Sequence, residues 1–268
     1  MANTKRRIKK RRKALSTLED LVEDASNILL IHYSCESFYD LDDGRSPRIT
    51  SIAVKSYSSG QSESFSIHRT AEKHNKLTEI EQHYDELEKI MLDDFMLFIK
   101  DHMRSKWIHW NMREGNYGFQ AINHRYEVLG GESVNFPDEN KIDLADKVKD
   151  IYGDKYIQHP RFYNLVQKNT ISDKDFLNGK QEAEAFKSKE YVKLHNSTVR
   201  KLNIIHTILE RVLDRSLLTD SKWKEIYGIK PTGLFELSKD YWLASVVFYL
   251  ISCVGSALLG IWITSMIK

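Results

Sequence analysis

Residues 27–38 read NILLIHYSCESF, an apolar run that passes into alternating polar positions. A short run of this kind, bounded by polar sequence, predicts a β-strand. Arg48 to Tyr57 repeats the signal as a second strand, and Ser58-Ser59-Gly60 turns the chain into a third, Gln61 to His68. Polar links of this kind predict an antiparallel meander. A helix over Thr78 to His102 comes next, with Ile80, Tyr84, Leu87, Met91, Phe95 and Phe98 at helical spacing. Lys106 to Met112 reads as a fourth strand, and a right-handed crossover through the helix returns it parallel beside the first.

Outside this unit the pattern is mostly helical. Ser16 and Glu19 make a capping-box start for a short amphipathic helix carrying Leu18, Leu21, Val22 and Ala25. Beyond Gly118 the helical segments are Phe119 to Leu129, Ile142 to Tyr152, Pro160 to Lys168, Asp173 to Phe186 and Tyr191 to Leu218. A fifth strand is hard to find; Glu132 to Phe136 is the candidate. The expected organisation is a basic arm at 1–15, an α/β core at 16–137, a helical region completing the soluble domain at 138–240, and an anchor at 241–268.

The anchor is read from Trp242 to Ile267, 26 residues without a charge. About 20 apolar residues in helix cross the hydrocarbon of a bilayer, and Tyr241, Trp242, Tyr249 and Trp262 suit its aromatic boundaries. A buried core helix is the competing reading. Lys222, Lys224, Lys230 and Lys239 precede the run while Lys268 closes it, so the positive-inside rule predicts a single pass with the soluble domain cytoplasmic. Ser252, Ser256, Gly260 and Thr264 recur every four residues along one stripe, where close backbone approach would favour a homo-oligomer.

Forty basic and 38 acidic residues give a formal net charge of +2, so the chain as a whole is no polycation. The charge is unevenly placed: Lys5, Arg6, Arg7, Lys9, Lys10, Arg11, Arg12 and Lys13 put eight basic residues in the first 13. Such an arm is a solvated tail, or it binds nucleic acid or anionic lipid. Cys35 and Cys253, the latter inside the anchor, build neither a disulfide framework nor a cysteine zinc site, as expected in a reducing compartment.

Alternation along a strand places His32, Ser34 and Glu36 on one side of the first strand, and His109 and Asn111 on one side of the fourth. With the two strands adjacent, these five polar groups are expected to converge at the strand ends, where open α/β sheets place ligands. The bland alternative for each is a solvated strand end or a satisfied core side chain.

In strand order and in these motifs, residues 27–119 resemble the DEDD family of 3′–5′ exonucleases within the ribonuclease H-like superfamily. The resemblance implies a ribonuclease H-like mixed sheet, two divalent cations (Mg²⁺ or Mn²⁺), and a site built on Glu36, His109, Asn111 and His195, with Glu36 as a metal ligand; Asp175 is the further candidate ligand, as an acid that could compensate for those missing from the motifs. The chain departs from the pattern at several points. Ser34-Cys35-Glu36 stands where the family has Asp-x-Glu, and Glu114 lies one residue short of the second motif's Asp. Arg200 stands where the third motif, beginning here at His195, carries an acid. Asp40, Asp42, Asp43 and Asp175 are the acids available to compensate.

The function expected from this combination is a membrane-anchored, cytoplasmic nuclease-like protein that binds or processes nucleic acid, an architecture suited to a prokaryotic defence or stress effector. The alternative is a non-catalytic membrane-tethered scaffold or sensor that oligomerises through its transmembrane helix. No phosphate-cradling glycine loop, His-Glu-x-x-His, nucleophile elbow or EF-hand loop occurs in the sequence.

Overall fold

A computed structural model of the chain describes residues 2–36, 45–114, 117–135, 137–228 and 231–267. Its first helix, α1, runs Ala2–Glu23 without a break at Ser16, whose hydroxyl donates to Asp20 (3.1 Å) instead of capping a helix. Ile8, Arg11, Ala14, Leu15 and Leu18 are buried along one stripe, and α1 thereby packs into the body of the protein. The basic arm is therefore a docked helix, and residue 15 falls inside it.

Strand β1, Ile28–Cys35, is buried at every position. A strand covered on both faces belongs in the interior of a sheet. Antiparallel to it lies β2, Ile49–Ser56, and antiparallel to β2 lies β3, Ser62–Ser66. The chain then enters α2, Ile67–Lys73, so His68 belongs to a helix and not to the third strand. A 3₁₀ turn at Leu77–Glu79 precedes α3, Tyr84–Asp101, which starts later than the apolar spacing predicts. The crossover delivers β4, Lys106–His109, parallel to β1, with Leu29 opposite Trp107 and Leu30 opposite Ile108.

A two-stranded ribbon, β5 (Arg113–Glu114) with β6 (Tyr117–Gly118), leads into α4, Phe119–Val128. The fifth strand of the main sheet is not Glu132 to Phe136: residues 132–135 carry no regular structure and Phe136 lies outside the described residues. It is β7, Lys141–Asp143, parallel to β4, which completes a mixed sheet of order β3-β2-β1-β4-β7.

Asp143 caps α5, Leu144–Tyr152, by accepting from the Ala145 amide. The remaining helices are α6 (Arg161–Lys168), α7 (Gly179–Lys187, opened by an Asn178 capping box), α8 (Tyr191–Leu213), α9 (Trp223–Ile226), α10 (Pro231–Asp240) and α11 (Trp242–Ile267). Two apolar clusters sandwich the sheet. Leu29, Ile31, Tyr33 and Trp107 pack with Leu92, Phe95 and Ile99 of α3; Leu30, Ala53 and Ile108 pack with Ile205, Ile208 and Leu209 of α8.

Among the described residues one helix, α11, is long and apolar enough to cross a membrane, and none of its Ser245–Ile263 window is buried. A core helix would be covered by the rest of the protein; this one is not.

Candidate functional site

The register of β1 against its neighbours decides where the expected site residues go. Ser34 lies opposite Ser51 but Cys35 lies opposite Ile49, so Thr50 is an extra residue in β2 and its hydroxyl donates to the Ser34 carbonyl (3.1 Å). A bulge of this kind breaks the two-residue alternation of the strand that carries the extra residue, here β2, while β1 keeps its own, with Ile31, Tyr33 and Cys35 all in the α3-side cluster. Ser34 points beneath α8, while Glu36 is turned to the rim, where Arg45 Nη1 and Nη2 each donate to one of its oxygens at 2.6 Å and the Arg48 amide adds a third bond (3.3 Å).

On β4 the expected pairing of His109 with Asn111 does not form. The strand ends at His109, and Asn111 takes a left-handed conformation (φ 60°) that ends the alternation. Trp107 shares the α3 face, so His109, two residues on, falls there too, with its ring 5.8 Å from Phe119. His32 and Ser34 lie on the opposite face. Asn111 is exposed, and its backbone N–H donates to Asp143 Oδ1 (3.1 Å). The five polar groups therefore do not converge in one pocket.

A different polar cluster forms instead between β1 and α8. The Ser34 hydroxyl is 2.5 Å from that of Thr198 and 3.2 Å from Glu182 Oε1; the Ser197 hydroxyl also donates to that oxygen at 3.2 Å. Lys201 Nζ pairs with the same carboxylate at 2.7 Å and sits 5.2 Å from the centre of the Phe176 ring. Ser34, Glu182, Ser197, Thr198 and Lys201 are all buried. His32 is buried beside them, its Nδ1 3.4 Å from the Tyr117 hydroxyl and its Nε2 without a hydrogen-bond partner. Burial and the positive charge of Lys201 push its pKa well below the ordinary histidine range, so the imidazole is neutral.

His195 lies further along the same interface, its Nδ1 2.9 Å from Ser51 Oγ and its ring 5.0 Å from His68. Burial, then the neighbouring His68 and Arg69, lower it to about 4. Arg200 turns outward and donates through Nε to the Ser172 carbonyl (2.9 Å). Asp175 is exposed on a turn with φ 66°, away from the buried cluster. Asp40, Asp42 and Asp43 lie outside the described residues, as does the Glu114 side chain.

A second charged assembly seals the α3 side of the same strand end. Arg125 holds the fully buried Glu88 through Nε (3.1 Å) and Nη2 (2.6 Å), reaches Asp85 at 2.7 Å, and shares Glu88 with the Ile49 amide (2.6 Å). Burial pushes the Glu88 carboxyl up to about 7 against the pull of Arg125. Sequence reading missed Glu182, Lys201, Glu88 and Arg125. Their signal was a charge at a buried helical position, as with Lys201 between Thr198 and Leu202.

Two-metal chemistry needs several carboxylates to hold cations about 3.5–4 Å apart. Here Glu36 is taken by a guanidinium, Glu182 by an ammonium, and Ser34 supplies no charge, a donor set that does not fit a pair of divalent cations. Among the described residues no group of three or more His, Cys, Asp or Glu is placed to hold a metal. No family model, curated protein or solved structure matches the chain.

Proposed function

We propose that the chain is a membrane-tethered scaffold or sensor, built on a ribonuclease H-like layout whose hydrolytic centre has been replaced by a buried ion pair. The observation that carries this reading is the Lys201–Glu182 pair at 2.7 Å, set under Ser34 at the junction of the first strand and the late helix. A fixed ammonium there opposes the entry of divalent cations. The strand order, a meander extended by two parallel strands beyond β1, supports the layout.

The uncovered helix α11 supports the tether. At about 1.5 Å per residue its 26 residues span about 39 Å, enough for a bilayer core of about 30 Å with room to tilt. The lysines before it favour a cytoplasmic soluble domain. Ser252, Ser256 and Gly260 line one stripe, and Gly260 has no side chain to hold a second helix away. Ser256 donates to the Ser252 carbonyl (2.8 Å), so its hydroxyl is satisfied within the helix and suits a helix–helix contact in lipid. The side chain of Thr264 lies outside the described residues.

The test is full-length protein in detergent, titrated with Mg²⁺ and Mn²⁺ and given a labelled oligonucleotide. The expected result is no cation-dependent rise in Tm and no trimming. Metal-dependent trimming abolished by Glu36→Gln would overturn the proposal and restore the nuclease reading.

A further inference from the structure

Three basic residues of α1 border one concavity. Arg6, Arg7 and Lys10 line a cavity of about 530 Å³ that α1 forms with α5, the loop after it and the start of α9; Lys149 and Lys155 line its other side. Two of the three acids in the wall are internally committed: Asp150 pairs with Lys10 (3.3 Å) and Asp154 with Lys149 (3.3 Å). The third, Glu225, accepts from the Lys222 amide (2.8 Å) and faces Arg7 electrostatically. Arg6, Arg7 and Lys155 leave the wall with an excess of positive charge, and Arg7 Nε is buried with no hydrogen-bond partner. A planar guanidinium lining a wall of net positive charge fits an oxyanion best, and Arg7 stands in that wall.

The position of the cavity says where such an anion would come from. One turn further along α1, Arg11 pairs with Asp240 and also donates to the Tyr227 hydroxyl (3.3 Å), while Arg12 pairs with Glu236 (2.5 Å). Four residues of helix are about 6 Å, so the cavity lies beside the residues through which the chain enters α11. Tyr152, in the cavity wall, is within electrostatic reach of Asp240 and Tyr241.

We infer that this cavity is a binding site for a phosphate group, presented by an anionic phospholipid headgroup of the membrane that α11 enters. The lipid source rests on the anchor proposed above; the phosphate chemistry does not. A planar Arg7 with Lys155 opposite would clamp the phosphate, and the docked α1 would join the soluble domain to the headgroup layer.

The test uses the full chain in detergent, with Tm measured against short-chain phosphatidylglycerol, short-chain phosphatidylcholine and inorganic phosphate. Stabilisation by phosphatidylglycerol alone supports the headgroup source. Equal stabilisation by inorganic phosphate supports the phosphate site with a soluble source. In either case Lys155→Gln, a change at an exposed loop position, should weaken the response several-fold, and Arg7→Gln roughly tenfold, the order expected for removing basic contacts to an anionic group. No response to either ligand, or the same response in both variants as in the parent chain, overturns the inference. So does salt-dependent oligonucleotide binding that Arg7→Gln abolishes in a protein indifferent to both phosphate sources, since the cavity would then serve nucleic acid. Failure here with full-length protein still requiring detergent for solubility would leave the anchor standing; solubility without detergent would remove the anchor itself.

Discussion

On the α3 side of the sheet the buried carboxylate Glu88 is gripped by a planar guanidinium and a backbone amide; on the α8 side the buried carboxylate Glu182 meets one ammonium and two hydroxyls. Both lie near the carboxyl end of β1. Arg125 satisfies Glu88 with a rigid fork, which fixes direction as well as charge. Lys201 supplies a point charge whose remaining surroundings are Phe176 and the hydroxyls of α8 and β1. The first arrangement locks α4 to α3, whereas the second ties α7 and α8 to β1.

Removing the charge partner is the most direct way to break this comparison. Arg125→Met leaves Glu88 buried with the Ile49 amide alone, and at a pH where the carboxyl is ionised the expected loss is ~3–5 kcal/mol, the usual consequence of stranding a buried charge. Chemical denaturation of full-length protein in detergent measures it; a loss no larger than that of an exposed arginine would remove the fork from the account. Lys201→Met should cost about 3 kcal/mol, at the lower end of that range, because Ser34 and Ser197 still donate to Glu182. Adding Glu182→Gln to Lys201→Met should recover most of the loss, since a neutral amide oxygen still accepts from both hydroxyls. A double variant as unstable as the single would mean that packing of the lysine stem, and not the pair, holds α7 and α8 to β1.

The same contrast separates the legible part of the sequence from the rest. Strands β1 to β4 and the helix between them are read from apolar runs and spacing, and the parallel return of β4 beside β1 from the handedness of the crossover. β7 escaped because it is three residues long with one buried apolar side chain, Ile142, and forms only by pairing with Trp107 to His109. α1 escaped because eight basic residues mask a stripe at helical spacing, Ile8, Arg11, Leu15 and Leu18, in which the arginine is neutralised by Asp240, far along the chain. The expected pocket failed for local reasons. Glu36 lies just past the end of β1, where Arg45 takes its carboxylate, and a left-handed Asn111 ends the alternation that the residue types of the fourth strand alone present as continuous.

Protonation sharpens the comparison without removing a side chain. Glu88 is raised from 4.5 to about 7 by burial, so the folded state holds its proton more tightly than the unfolded chain does. Its contribution to stability is fully present below the unfolded pKa and is lost as pH rises through that interval. Glu88→Gln keeps an acceptor for Ile49 and Arg125 and should flatten this decline between about pH 5 and pH 7, measured as Tm at closely spaced pH values. An unchanged decline would show that another group on the α3 side is responsible.

The smallest effect belongs to the α8 side and has the opposite sign. His195 is lowered from 6.5 to about 4 by burial and by His68 and Arg69, so the unfolded chain binds a proton that the folded state refuses. Its contribution is fully present above the unfolded pKa and is lost as pH falls toward the folded one. His195→Asn can keep a polar partner for Ser51 without a group that titrates there, and should remove part of the acid-side loss, a change of the order of a few degrees in Tm. Part only is expected, because His32, also held neutral by burial and by Lys201, acts in the same direction. Combining His195→Asn with Lys201→Met distinguishes the two histidines. Losing the ammonium raises the pKa of His32 and so lessens its share of the acid-side slope, while His195 is already absent. An acid-side slope as steep in that double variant as in the parent chain would place the controlling group outside this interface, and the two faces would then differ in packing and not in charge.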